Sequence, residues 1–319
     1  MSAPGKPVTI LATLGDPNGI GPEITLKAYH RMTSSSSMRL QLVGSGKVVA
    51  DTARRCGLPA PPLEVLIEPS YHPREPLQPG RLQAESGRLA YQCLRTAHDL
   101  ITSGRADGLV TAPWNKEALH LAGCPQVGHT EALAALTGAT DPITLFVTGP
   151  LRIAFLTRHL ALSAAVAAVT RQRIELFVRR LVVELGRIGI AKPRVAVAAL
   201  NPHAGEGGLL GREEIEEIEP AVRTLQAEGL NVTGPVPADA VFHAAIEGQF
   251  DCVVALYHDQ GHIAAKTRDF FGTVSLTLRL PYVRTSPDHG TAFDIAGRGE
   301  ADPRSMILAI EVAADHCRR

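Results

Sequence analysis

"DCVVALYHDQGHI", residues 251–263, carries the reading of the fold. Val253 to Leu256 is an unbroken apolar run, long enough for a strand and too short for a helix. Such a run fits a strand covered on both faces, the usual setting of a parallel sheet. It then delivers Tyr257, His258, Asp259 and, one helical turn on, His262. The layout recurs upstream: "LRIAFLTRH" (151–159) ends on His159, and "PRVAVAALNPH" (193–203) ends on His203. In a parallel sheet the carboxyl ends of the strands gather at one edge, where ligands bind. Three imidazoles delivered there are candidates for a divalent metal site with open coordination positions, as a catalytic metal requires. The alternative is three unrelated polar strand ends. His262 is a candidate fourth ligand or, being a turn further on, a supporting or cofactor-contacting residue. Asp259, beside His258, is placed to orient an imidazole or relay a proton.

Working outward, short apolar runs at 8–14, 39–44, 108–112 and 143–148 also read as strands. Helical patterns separate them. One spans 84–102, and another starts at the N-cap candidate Thr170 with a stripe of Ile174, Phe177, Val178, Leu181, Leu185 and Ile188. A third covers 212–230, with an acidic start that the helix dipole favours, and a fourth covers 302–316. Alternating strands and helices indicate an α/β fold with a substantially parallel sheet. "MTSSSSM" (32–38) reads as a low-complexity loop and the proline-rich 68–82 as a surface excursion.

Composition narrows the function. A chain of 319 residues with 45% hydrophobic content suits one large or two intimate domains. Lys+Arg and Asp+Glu balance at 32 each and aromatics are 4%, which argues against nucleic acid or an anionic membrane surface as partner. The five cysteines are scattered with no C-x-x-C spacing, as in a reduced compartment. No apolar run reaches membrane-span length, and the short run at 8–14 lacks a signal-peptide layout. A cytoplasmic location is expected.

Four further stretches carry candidate chemistry. "GDPNGIGPE" (15–23) joins a strand to a helix, with Pro22 suited to the first helical turn. Gly15, Gly19 and Gly21 would let the backbone approach a ligand, or simply make the turn. There is no G-x-G-x-x-G, so a standard Rossmann dinucleotide site is not indicated. "TAPWNK" (111–116) and "GHTE" (128–131) offer Lys116, His129 and Thr130. Lys266 and Arg284 could hold a phosphate or carboxylate, or be solvated surface charges. "DHGTAFDIAGRGEADP" (288–303) is a glycine-containing loop leading into the last helix.

Taken together, "GDPNGIGPE", "GHTE", "NPHAGEGG", "YHDQGH" and "RTSPDHGTAFDIAG" resemble the 4-hydroxythreonine-4-phosphate dehydrogenase family, PdxA, from about residue 8 to residue 310. Two of them are also similar to motifs of the isocitrate and isopropylmalate dehydrogenases. The resemblance implies a three-layer α/β/α fold of that kind, in two subdomains with an active-site cleft. Residues from about 1–127 with 285–319 would form the first subdomain and about 128–284 the second. It implies a homodimer whose active site is shared, with His159, His203 and His258 as metal ligands. Zinc, magnesium, manganese and cobalt are the candidate ions. Substrate contacts would come from His129, Thr130, Lys266, Ser275 and Arg284, and Lys266, Asp259 and Lys116 would serve catalysis. NAD or NADP would bind Gly15, Gly19, Gly21, His289, Gly290, Thr291 and Asp294, which accounts for a dinucleotide without a Rossmann fingerprint.

The reaction so implied is oxidation of the secondary hydroxyl of 4-phosphohydroxy-L-threonine, with decarboxylation to 3-amino-2-oxopropyl phosphate, in pyridoxal 5'-phosphate biosynthesis. The chain departs from the family pattern at Ser275, where asparagine is usual, at Arg279, and at "RDFF" (268–271). "HDQGHIAAK" (258–266) is closer to side branches of the family. Those act on 4-phosphorylated threonate or erythronate, or on cis-dihydrodiols of aromatic carboxylates. Two other classes stay open: a metal-dependent hydrolase, and a silent metal- or phosphate-binding protein.

Overall fold

The structure, a computed structural model, describes residues 7–32 and 38–318. The low-complexity stretch 33–37 lies outside the described residues. Eleven strands are found among the described residues: β1 Val8–Thr13, β2 Met38–Val43, β3 Leu66–Ile67, β4 Gly108–Thr111, β5 Ile143–Thr148, β6 Leu151–Phe155, β7 Val195–Ala198, β8 Val232–Val236, β9 Cys252–Ala255, β10 Val274–Leu278 and β11 Val283–Pro287. The seven apolar runs are all strands. The other four escape an apolar-run criterion for local reasons. β3 is two residues long, β8 contains Gly234-Pro235, β10 alternates apolar residues with Ser275 and Thr277, and β11 runs Arg284, Thr285 and Ser286 in succession.

The chain forms two compact units, Met1–Pro142 with Val274–Arg319, and Ile143–Thr273. The division falls at 142/143 and 273/274, where the sequence reading had 127/128 and 284/285. The helix His129–Thr137 buries Ala132 and Leu133 in the first unit's core beside Leu119 and Trp114. β10 is paired antiparallel to β11 and stays with it.

In the first unit the strand order is β3-β2-β1-β4-β11-β10, parallel except for the last pair. Period-two alternation along β1 sends Val8, Ile10 and Ala12 to one face. There they meet Ile24 and Ala28 of the helix Gly21–Met32, and Met306 and Ile310 of the helix Arg304–Cys317. Leu11 goes to the other face, with Leu89 and Leu94 of the helix Ala84–Thr102. A strand covered on both faces must be largely apolar on both, which is why β1 reads as a nearly continuous run.

In the second unit the order is β5-β6-β9-β7-β8, antiparallel only between β5 and β6. Ile153, Phe155, Val253 and Ala255 pack with Val241 and Ala245 of the helix Ala238–Ile246, and with Ala265 of the helix His258–Arg268. The stripe Ile174, Val178, Leu181 and Leu185 is buried along the helix Arg171–Arg187, and the Thr170 hydroxyl accepts from the Arg173 amide at 3.4 Å.

The stretch 212–230 differs from a plain helix. It opens as a π-helical turn, Glu214–Ile218, and continues as the α-helix Glu219–Ala227. Glu214 is buried, and its Oε1 accepts the amides of Leu200 (2.8 Å) and Asn201 (2.7 Å), while Oε2 accepts the Asn201 side chain (2.8 Å). This carboxylate therefore holds the base of the loop after β7. Among the described residues no helix is long and apolar enough to cross a membrane.

Candidate functional site

The second unit delivers its three candidate histidines from adjacent strands. β6, β9 and β7 are neighbours in that order and parallel, and His159, His258 and His203 follow their carboxyl ends. The rings of His159 and His258 are 5.9 Å apart, centroid to centroid. Two of the imidazoles hold a carboxylate on Nδ1: Asp259 Oδ1 lies 2.6 Å from His258, and Glu206 Oε1 lies 2.9 Å from His203. With Nδ1 so engaged, Nε2 of each ring is the candidate ligand nitrogen, the usual division of roles in a metal-binding imidazole. Among the described residues no group of three or more His, Cys, Asp or Glu side chains is close enough to hold a metal ion within one chain.

His262, Lys266 and His258 share one face of the helix His258–Arg268 by their four-residue spacing. His262 stacks on His258 with centroids 3.5 Å apart and an interplanar angle of 11°. Its Nδ1 lies 2.8 Å from the His258 carbonyl, and Phe146 and Phe155 pack around it at 4.5 and 4.6 Å. Lys266 places its ammonium 4.9 Å from the ring centroid of Phe270.

In the first unit Arg284 is buried within the sheet. Its Nη1 donates to Thr277 Oγ1 on β10 at 2.9 Å, and its Nε and Nη2 donate to Thr111 Oγ1 on β4 at 3.1 and 2.5 Å. Register pairs Arg284 with Thr277 and Ser286 with Ser275, so Ser275 lies on the face that carries the guanidinium. His129 starts its helix and stacks on Trp114 at 3.6 Å and 10°. Burial first, then the charges of Arg284 and Lys116, holds its pKa well below the ordinary imidazole value. His129 is therefore neutral at neutral pH, and it shares an electropositive site with two cations. Thr130 follows it in the first helical turn. Arg279, at φ 68°, donates from Nε to the Thr140 carbonyl at 3.1 Å. Thr111, Thr277 and Trp114 were not singled out in the sequence. Their only signals were the alternation around Ser275 and the lone tryptophan in "TAPWNK".

The loops at the carboxyl ends of β1, β4 and β11 interlock. The Asp16 amide donates to the Pro113 carbonyl at 3.0 Å, and the Ile20 amide to the Thr291 carbonyl at 2.9 Å. Gly15 has φ 67°, and a Cβ there would come 2.2 Å from the Pro113 carbonyl oxygen. A Cβ on Gly21 would come 2.2 Å from the Leu14 oxygen, and one on Gly19 2.8 Å from Thr291 Cβ. Close approach of the protein's own chain thus already requires all three glycines. His289 bonds the Gly290 carbonyl through Nδ1 (3.0 Å) and Ser305 Oγ through Nε2 (2.8 Å), fastening the loop to the last helix. Gly290 has open space where a side chain would stand, and Asp294 is exposed.

Asp16 is fully buried, and burial pushes its pKa up to about 6 against the hydrogen bonds that lower it, the Asn18 amide foremost. A carboxyl whose pKa rises on folding binds its proton more tightly in the folded state. Its contribution is complete below the unfolded value of 3.8 and is lost as pH climbs through about 6. Asp16→Asn removes the titration. Its stability relative to wild type should rise by about 1.4 kcal/mol per pH unit between about pH 4 and 6, then level off. Urea unfolding of both proteins across that range checks this, and a flat difference would remove the assignment.

Residues 24–313 match the family model described as pyridoxal phosphate biosynthetic protein PdxA. The chain is 42% identical to a D-threonate 4-phosphate dehydrogenase of Pectobacterium atrosepticum over 319 residues, spanning 95% of this chain and 98% of that one. It is similar to the crystal structure of 4-hydroxythreonine-4-phosphate dehydrogenase from Klebsiella pneumoniae, with 41% identity, a TM-score of 0.84 and coverage of 97% and 99% of the two chains. A terephthalate 1,2-cis-dihydrodiol dehydrogenase structure from Burkholderia xenovorans matches at 33% identity and TM-score 0.66, covering 97% of this chain and 98% of that one. With a family match over most of its length and dehydrogenase relatives along nearly all of it, this chain belongs to the PdxA family and has that family's mixed α/β, isocitrate/isopropylmalate dehydrogenase-like fold.

Proposed function

We propose that the chain is a metal-dependent, NAD(P)-linked dehydrogenase of a 4-phosphorylated four-carbon hydroxy acid. D-threonate 4-phosphate is the preferred substrate and 4-phosphohydroxy-L-threonine its competitor, which reverses the order of preference implied by the family motifs alone. The observation that carries the reading is the trio of histidines at the ends of β6, β9 and β7, two of them backed by carboxylates. The near full-length likeness to a D-threonate 4-phosphate dehydrogenase supports the choice of substrate.

His159, His203 and His258 would hold the ion, and an all-imidazole donor set favours zinc or cobalt over magnesium. When bound, the metal supplies Lewis acidity at the reacting oxygen and the nicotinamide supplies a hydride acceptor. Arg284, braced by Thr111 and Thr277, would pair the substrate's phosphate, with neutral His129 donating a hydrogen bond beside it. Lys266 would carry the proton of the reacting hydroxyl, and Asp259 would fix the orientation of His258. Leu160, Leu162, Leu209, Leu210 and Ile263 are exposed beside the histidine loops. They give a second copy of the chain an apolar surface, and a homodimer would complete the ligand set.

The test is turnover of both phosphorylated substrates and of an aromatic cis-dihydrodiol carboxylate, with zinc and with NAD or NADP, followed by absorbance of the reduced cofactor. D-threonate 4-phosphate should give the highest kcat/KM, and a chelator should abolish it. A higher value for 4-phosphohydroxy-L-threonine overturns the substrate choice, and indifference to the chelator overturns the metal. Ser275→Asn should shift the kcat/KM ratio about two- to twelvefold toward 4-phosphohydroxy-L-threonine, the worth of one hydrogen bond.

A further inference from the structure

The loop "NPHAGEGG" (201–208) has an uncommon backbone. His203, Ala204, Gly205, Glu206 and Gly207 have φ of 51°, 56°, 79°, 46° and 65°, with ψ of 33°, 39°, 1°, 50° and 22°. Five consecutive residues lie in the left-handed region, and three of them carry a Cβ. L-residues enter this region at a cost and rarely in succession. Such a conformation persists only where its surroundings enforce it. Here the base is held by the Glu214 carboxylate on the amides of Leu200 and Asn201. The turn closes with the Leu210 amide on the Gly205 carbonyl at 3.1 Å. Gly205 sits so tightly that a Cβ would come 2.9 Å from Glu214 Oε2.

The left-handed turn has one clear product. At about three residues per turn, positions i and i+3 fall on the same side, and this brings Glu206 onto His203, Oε1 to Nδ1 at 2.9 Å. Both side chains are more than half exposed, 66% and 51%, so the pair is no stability device.

We propose that Glu206 is a positioning residue for His203. By accepting from Nδ1–H it fixes the tautomer and the ring plane, so that the Nε2 lone pair faces outward as a ligand. Glu206 thus does for His203 what Asp259 does for His258, although the two carboxylates come from different backbone devices. The inference rests on the reading of His203 as a metal ligand, and its test separates the two.

Glycine occupies the left-handed region without strain, so Glu206→Gly removes the carboxylate while easing the turn. The variant should keep or raise the wild-type melting temperature and bind zinc about 10- to 100-fold more weakly in competition with a chromophoric chelator. Glu206→Gln, whose side-chain oxygen still accepts from Nδ1–H, should recover most of that affinity. Wild-type zinc affinity in Glu206→Gly overturns the proposal. So does a joint fall in melting temperature and affinity in both variants, which would mark a structural role. His203→Ala, measured beside them, tests the underlying reading. If it too binds zinc like wild type, the metal assignment fails; if it loses zinc while Glu206→Gly does not, only the role of Glu206 falls.

Discussion

Arg284→Ala is expected to raise KM for the phosphorylated substrate about 10- to 150-fold, the loss of a charge-assisted contact to a buried anion worth roughly 1.5–3 kcal/mol. KM for NAD or NADP should stay near its wild-type value. The guanidinium is buried at 4% exposure and aimed by hydroxyls from two flanking strands, Thr111 and Thr277, so little freedom is lost when an anion docks. Its field also reaches His129, whose pKa it helps to depress. Removing the charge should therefore let His129 titrate closer to the ordinary imidazole range, which NMR of the free protein can follow. Lysine is a poor replacement, since a single ammonium cannot span both threonines while facing an anion. Steady-state kinetics with each substrate varied separately decides the matter. A rise in KM for the dinucleotide with substrate KM untouched would move Arg284 to the cofactor's site.

Glu214→Ala is expected to destabilise the protein by about 3 kcal/mol, because three part-buried donors lose their acceptor at once, and an orphaned group costs about 1–3 kcal/mol when buried and less where water reaches it. The amides of Leu200 and Asn201 and the side chain of Asn201 all donate to this carboxylate. Asn201 Nδ2 retains Glu213 Oε2 at 2.7 Å, which keeps the loss below the full sum. Because the same groups anchor the left-handed turn, zinc affinity should fall together with stability. That is the opposite of the split expected for Glu206→Gly. Denaturant unfolding reads the first effect and chelator competition the second. A variant with wild-type stability would show that the loop finds its turn without the carboxylate.

Much of this protein was legible from local pattern. The apolar runs that became β1, β6, β7 and β9 are nearly continuous because both faces of those strands are covered, so burial itself wrote the signal. The histidines after β6, β7 and β9 could be placed at strand ends for the same reason. β10 and β11 were not legible as strands. β10 breaks its apolar run with Ser275 and Thr277, and β11 is polar on both faces, with Arg284 and Ser286 on one and Thr285, bonded to the Ala309 carbonyl at 2.7 Å, on the other. The acidic start of 212–230 shows the converse. A helix dipole accounts for exposed glutamates there, and nothing in the pattern distinguishes Glu214, which the π-helical turn buries beneath the loop that precedes it.

By itself the sequence determined the α/β plan, the helix boundaries near Ala84 and Thr170, and the candidate residues at each strand end, since all of these follow from periodicity within ten or twenty positions. Only the tertiary structure decided that β6, β9 and β7 are neighbours, that Trp114 stacks on His129, that Arg284 is held by Thr111 and Thr277, and that "NPHAGEGG" winds left-handed to bring Glu206 onto His203. The reason is physical. Strand order and the burial of Arg284 against Thr111 are settled by atoms distant in the chain, and the left-handed backbone by specific hydrogen bonds such as those of Glu214; a pattern of apolar and polar residues carries no record of either.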